Sequence, residues 1–162
     1  MAIAMMAWLV AIPLLGFANG MRTLTPMAVL CWFAYAGYLP VGGTWAFWTA
    51  KPVTAIIFAV LALGELVVDK LPRTPDRIAP GPLIARVLFG GLVCLIVATT
   101  LNGSGTEGVI LGVAGVLIGA FASFVLRRDI VAGFGFKDWP VALLEDLSAI
   151  GFAIFAMGIV TG

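Results

Sequence analysis

The chain alternates long apolar runs with short polar breaks. Six runs of roughly 17 to 20 residues recur, each long enough to cross a hydrocarbon core of ~30 Å at ~1.5 Å rise per residue. Strands of a membrane barrel would alternate polar and apolar residues, and these runs do not. The pattern predicts an all-α, polytopic transmembrane helix bundle of about six spans, forming a single domain over residues 1–162. The predicted spans are 2–18, 23–39, 52–69, 81–100, 107–126 and 140–160.

The segment between the second and third spans is rich in glycine and aromatic residues. Trp45 and Trp48 lie within it, and Trp32, Tyr35 and Tyr38 come shortly before. Tryptophan and tyrosine are enriched at membrane–water interfaces because their rings are amphipathic. We therefore predict an interfacial aromatic belt here.

The fifth span carries small residues at helical spacing. They are Gly108, Gly112, Gly115, Gly119 and Ser123. Small residues let two helix backbones approach closely. Two interpretations stay open: the stripe packs against another helix of the same chain, or Gly112, Gly115 and Gly119 form the seam of a homodimer.

The composition agrees with a membrane protein and excludes several functions. The chain is 62% hydrophobic and 10% charged, with a mean hydropathy of +1.16, far too apolar for a soluble domain of this size. A net charge of +1 without a basic tract argues against nucleic acid as a partner. Histidine is absent, and Cys31 and Cys94 lie inside apolar runs as small core residues. We expect no metal site, no cofactor and no enzymatic activity.

The charges gather on one side of the predicted bundle. If six spans alternate in direction, Lys51 and Glu107 alone fall on the other side. An excess of Lys and Arg marks cytoplasmic loops, so we predict a multi-pass protein of the cytoplasmic (inner) membrane with both termini on the non-cytoplasmic side. An alternative treats the first forty residues as a broken hairpin that does not fully cross, which would move only the amino terminus.

Several of these charges lie inside the predicted helices. Glu65, Arg86 and Glu145 each lie about 7 to 8 Å from the cytoplasmic end of their spans, and charges at such depth usually face the bundle interior and find partners. Asp69 shares a helix face with Glu65 because it follows four residues later. The candidate site for a substrate or ion comprises Arg22, Glu65, Asp69, Arg86, Glu145 and Asp146.

Two interpretations of this set are open. The charges form buried ion pairs that fix helix register, or they line a polar cavity open to the cytoplasm. In the second case carboxylates bind a cation or protons while Arg22 and Arg86 hold an anionic group. The number of charges favours the cavity, since every unpaired one costs energy. The break at 20–26 and the entry at 80–82 also direct helix amino termini, which bind anions, toward this side.

Four motifs spread over the chain carry a resemblance to a known family. They are Gly20-Met21-Arg22 with Pro26, the stretch from Glu65 to Pro72, the Pro80-Gly81-Pro82 entry with Arg86, and Leu144-Glu145-Asp146. Together they resemble the domain of unknown function numbered 4126, small polytopic membrane proteins of bacteria and plastid-bearing organisms. The family has no assigned activity, so the resemblance implies the fold and marks these residues without naming a substrate.

We expect a transporter or channel-like protein for a small charged solute or a lipid head group, with the lipid bilayer around it. The alternative is a non-transporting accessory or scaffold subunit of a membrane complex, which would use the glycine stripe and the aromatic belt as contact surfaces. The grouping of Glu65, Asp69 and Lys70 also resembles a signature of cation/proton exchangers, but its spacing differs and a second copy is missing.

Overall fold

The computed structural model describes residues 2–69, 78–134 and 138–162, and among these it contains six α-helices and no strand. The helices are α1 (Ala2–Met21), α2 (Thr25–Tyr35), α3 (Pro52–Val68), α4 (Pro80–Thr100), α5 (Gly105–Phe134) and α6 (Asp138–Thr161). Two 3₁₀ turns, Val41–Gly43 and Phe47–Ala50, lie between α2 and α3. The predicted all-α bundle is confirmed. Five of the charges behind the predicted sidedness lie outside the described residues: Lys70, Arg73, Asp76, Arg77 and Lys137.

Three of the described helices are long and apolar enough to cross a membrane: Pro80–Thr100, Gly105–Gly133 and Trp139–Thr161. The stretches Trp8–Met21, Thr25–Tyr35 and Pro52–Val68 are apolar but shorter, so the bundle offers between three and six spans. On α3 only Ala55 and Ala62 are buried, and the side chains on the rest of its surface are mostly apolar. That surface is compatible with a lipid environment.

Helix α2 is shorter than predicted and ends at Tyr35 rather than near residue 39. The backbone of Gly37 has φ +84°, a conformation that glycine adopts without strain. The amide of Gly37 donates to the carbonyl of Ala34 at 3.1 Å, and that of Tyr38 donates to Phe33 at 2.9 Å. This pair of bonds is the Schellman motif, and the rings of Phe33 and Tyr38 pack beside it with their centroids 5.8 Å apart.

Helix α5 is longer than predicted. We expected a loop from Arg127 onward, whereas the helix continues through Arg127 and Arg128 to Phe134. The prediction was wrong because charged residues mark where a helix leaves the hydrocarbon, not where it stops; arginine is a good helix former. At 30 residues, α5 is about 45 Å long.

Helix α1 lies at the centre of the bundle and packs against α4, α5 and α6. Its closest neighbour is the glycine stripe of α5: a Cβ on Gly115 would collide with the Pro13 carbonyl, and one on Gly119 with the Phe17 carbonyl. Gly16 and Gly20 of α1 face the backbone of α5 in the same way. The close approach predicted from the stripe therefore occurs within the chain. The homodimer stays a prediction, and in this fold Gly112, Gly115 and Gly119 are covered by neighbouring helices.

The segment between α2 and α3 folds back onto the bundle. Leu39, Val41 and Ala46 are at most 1% exposed and belong to the apolar core. The rings of Trp48 and Phe58 pack beside them, 6.4 Å apart. The remaining aromatic side chains of the predicted belt are about half exposed. These are Trp32, Tyr35, Tyr38 and Trp45; the exposure is compatible with an interfacial position.

Candidate functional site

Helices α1 and α3 end where α4 and α6 begin. Most of the charged side chains lie at this end of the bundle, which we call the charged end. The meeting of these four helices is fixed by contacts between them. Arg22, directly after α1, reaches Asp69 after α3 and Asp146 on α6. Arg86 on α4 reaches the last carbonyls of α1. Groups that are far apart in the sequence are therefore neighbours here.

The centre of the charged end is an ionic triad. The side chain of Arg22 is 0% exposed, and its two terminal nitrogens donate to Asp69 and Asp146. Asp146 is buried and Asp69 is partly exposed, at 4% and 16% of their side chains. One guanidinium with two carboxylates leaves the triad with a charge of −1. Removing Arg22 would take the arginine partner from a buried carboxylate, which is costly.

Glu65 binds the amino terminus of α2. Its two carboxylate oxygens accept hydrogen bonds from the backbone amides of Thr23 at 2.6 Å and Leu24 at 2.8 Å. The residue at the N-cap position is Leu24, whose side chain cannot cap. Glu65 supplies the missing acceptor from another helix and adds a negative charge where the helix dipole favours one.

Arg86 binds the carboxyl terminus of α1. It is 3% exposed, and its Nη1 donates to the carbonyls of Gly20 at 2.8 Å and Met21 at 2.7 Å. Terminal carbonyls of a helix carry a partial negative charge and attract cations. The break between α1 and α2 is thus held on one side by a cation and on the other by an anion, and both are side chains of this protein.

Four buried polar atoms around the break have no hydrogen-bond partner among the described residues. They are Asn19 Oδ1, Arg22 Nε, Thr25 Oγ1 and Arg86 Nε. Three of these residues lie within seven positions of the sequence, and the fourth contacts the backbone between them. Buried polar atoms in folded proteins are nearly always bonded to protein, water or a ligand. The break therefore has unused capacity for polar contacts.

Glu145 lies apart from the triad and faces α5. Its Oε2 is 3.8 Å from Nη1 of Arg127. Both line a cavity of about 710 Å³ between α1, α5 and α6, whose walls are otherwise mostly apolar. The side chains of Glu145 and Arg127 are 8% and 21% exposed. The charged end thus contains two polar features, the break between α1 and α2 and this groove.

The six candidate residues are divided between these features. Five of them surround the break, and Glu145 lines the groove. Asn19 and Thr25 were not predicted as site residues, because both resemble ordinary residues of a helix break. Arg127 was predicted to lie in a loop. A signal for Arg127 was present, since it follows Ser123 by four residues and so continues the small-residue face of α5.

The chain has no match among curated proteins or among solved structures. The family described as Domain of unknown function (DUF4126) matches residues 9–159, which is nearly the whole chain. Within the described residues, the motifs that resembled this family lie on or beside the helix ends that form the charged end. The chain is therefore a member of the DUF4126 family, a family of unknown function, and its apolar helices are compatible with a membrane protein.

Proposed function

We propose that the protein is a transporter or channel-like protein of the cytoplasmic membrane, with a polar site for a small charged solute or a lipid head group at the α1–α2 break. The observation that supports this most is the set of buried polar atoms around the break. Ion pairs that merely fix helix register would leave few such atoms, because each one costs about 1 to 3 kcal/mol when buried unpaired.

The break itself has the anatomy of a discontinuous transporter helix. In such helices, exposed amides at one half-helix end bind anionic groups and free carbonyls at the other bind cations. Here Glu65 occupies the anion position and Arg86 the cation position. A solute that displaced either side chain would find two backbone amides or two carbonyls already aimed at it.

The charge balance favours a cation or protons as the bound species. The five candidate residues around the break comprise two arginines and three carboxylates, which leaves a net charge of −1 when all of them are ionised. A site with excess carboxylate attracts positive charge. Any anionic group would have to replace Glu65 rather than join it.

The arginines support a cytoplasmic position of the charged end. Arg22, Arg86, Arg127 and Arg128 are all found on helices or helix ends at this side, whereas Lys51 precedes α3 at the opposite end. By the positive-inside rule, the charged end faces the cytoplasm, and both termini face away from it. Helix α2 covers only about 16 Å, so the chain between residues 25 and 51 completes this crossing with the segment that folds onto the core.

A flux measurement with matched variants tests the proposal. The protein is reconstituted in liposomes, and entry of Na⁺, K⁺ and H⁺ is followed beside flipping of a lipid with a fluorescent head group. We expect flux of at least one probe above that of protein-free liposomes. Glu65→Gln should abolish it, because the amide nitrogen opposes one of the two backbone amides, whereas Glu65→Asp should retain part of it.

The control is Glu107→Gln, which removes an exposed carboxylate at the opposite end of the bundle. It should leave the flux unchanged. If no probe crosses, or if all three variants behave alike, the polar site at the break does not conduct a charged species.

One observation favours the scaffold alternative. Arg22 is completely buried and binds two carboxylates at once, as expected of a group that fixes the arrangement of helices. Purification in mild detergent separates the two functions. A stoichiometric partner protein supports an accessory subunit, and a homogeneous preparation of this chain alone supports transport.

A further inference from the structure

The groove between α1, α5 and α6 opens sideways. Leu126 and Leu144 line it and are 62% and 66% exposed, although they lie on helices long enough to span a membrane. We propose that this groove binds one phospholipid with a phosphoethanolamine head group, taken from the leaflet at the charged end. The proposal concerns binding at the groove and holds whether or not the α1–α2 break transports a solute.

The size of the groove fits one acyl chain. Its volume of about 710 Å³ lies within the usual range for ligand sites, about 300 to 1,000 Å³. A methylene group is close to a water molecule in volume, and the groove has room for on the order of twenty groups of about 30 Å³ each. One chain therefore fits inside, and a second chain of the same lipid stays in the bilayer.

The length of the groove matches one leaflet. On α6 it extends from Pro140 to Phe152, which is about 18 Å along the helix; half of a hydrocarbon core is about 15 Å. At its inner end the groove is lined by the rings of Phe17 and Phe152, which meet edge to face with their centroids 5.6 Å apart. An acyl chain entering from the charged end would stop at this ring pair.

The charges in the groove select the head group. Arg127 Nη1 and Glu145 Oε2 lie 3.8 Å apart, and both side chains line the groove, so they bring one positive and one negative group to the same space. A phosphate accepts hydrogen bonds from Arg127, and a primary ammonium donates to Glu145. An anionic head group would place a second negative charge beside Glu145. A choline head group carries no N–H to donate.

The depth of this pair agrees with such a head group. Glu145 is the eighth residue of α6 and lies about 10 Å along the helix from its first residue. Because α6 is about 36 Å long, its first turn extends beyond a core of ~30 Å into the head-group layer. The charged pair then lies just below that layer, within reach of a lipid phosphate drawn slightly inward.

Competition between lipids tests the proposal. The full chain, reconstituted with equal amounts of phosphatidylethanolamine, phosphatidylglycerol and phosphatidylcholine, is extracted and its retained lipid is quantified by native mass spectrometry. We expect one bound lipid per chain, with phosphatidylethanolamine favoured by about fivefold, the ratio that one ion pair near a protein surface provides. Glu145→Gln should remove the preference over phosphatidylglycerol, and Arg127→Gln should lower retention of all three lipids.

A blocking variant and two control variants distinguish loss of the lipid site from a general effect of substitution on folding. Arg128→Gln changes the neighbouring arginine, whose side chain is 61% exposed and pairs with Asp129, and should retain the wild-type preference. Ser148→Trp fills the groove without changing its charge and should prevent retention. Leu147→Trp, on the exposed face beside it, should not.

Three results would overturn the proposal: equal retention of the three lipids, unchanged retention in the Ser148→Trp protein, or a dimer whose second copy covers the groove and excludes lipid. None of these bears on flux through the break. A failure of the lipid site is therefore distinguishable from a failure of the proposed transport.

Discussion

Arg22 provides the sharpest test of the network at the charged end. The substitution Arg22→Gln keeps a polar but shorter side chain and removes the charge that Asp69 and Asp146 share. Breaking a buried ion pair from one side typically costs about 3 to 5 kcal/mol, because the remaining charge stays buried. We expect the free energy of unfolding to fall by an amount in this range. Most of the loss should come from the buried charge of Asp146, since the Asp69 side chain is partly exposed to solvent.

A double-mutant cycle isolates the interaction from other effects. Asp146→Asn in the Arg22→Gln background removes the buried charge that has lost its arginine partner, so the double variant should lose less stability than the two single variants added together. The expected coupling is about 2 to 3 kcal/mol. The free energy of unfolding is measured in mixed micelles in which the fraction of denaturing detergent is raised stepwise.

The exposed pair of Arg128 and Asp129 serves as the matched control, with both side chains 61% exposed. Its coupling should be about 0.5 kcal/mol or less, as for other surface ion pairs. Purely additive costs for Arg22 and Asp146, or a loss below about 1 kcal/mol for Arg22→Gln, would refute the assignment of Arg22 as the buried centre of the network.

Two further predictions concern glycines that are needed for different reasons. Gly115→Val should lower the free energy of unfolding by about 1 to 3 kcal/mol or more, because the valine side chain would meet the Pro13 carbonyl of α1. The control is Gly151→Val, at a position with open space around it, which should cost less than about 1 kcal/mol in the same unfolding assay. At Gly37 an added methyl group would meet no neighbouring atom, but the backbone has φ +84°. Gly37→Ala should therefore lower the free energy of unfolding by about 1 to 2 kcal/mol through backbone strain alone. A proline scan or hydrogen exchange should locate the resulting fraying at the end of α2.

The number and order of the helices followed from the sequence because proline, glycine and charged residues separate its apolar runs, although only three of the described helices reach membrane length. The charged residues at this end could also be singled out from the sequence, since a charge inside such a run needs a partner; that they form a binding site stays a prediction. The partners themselves could not be predicted. Nothing in the sequence around Leu24 indicates that its amide binds Glu65, 41 positions away.

The errors have equally specific causes. The end of α2 was missed because the role of Gly37 depends on its positive φ, which the apolar pattern does not reveal. The extension of α5 was missed because two arginines were taken as the start of a loop. That mistake also hid the groove, whose positive group, Arg127, lies on the extended part of α5.

Water access to the break between α1 and α2 tests the central claim most directly. Thr25→Cys places a thiol where a buried hydroxyl has no protein partner among the described residues, and vesicles are treated with a charged thiol reagent that does not cross membranes. The account predicts that this thiol is modified from the charged side, while native Cys31 and Cys94, both 0% exposed in the apolar core, are not. A thiol at position 25 as inert as Cys94 would contradict a polar site at the break.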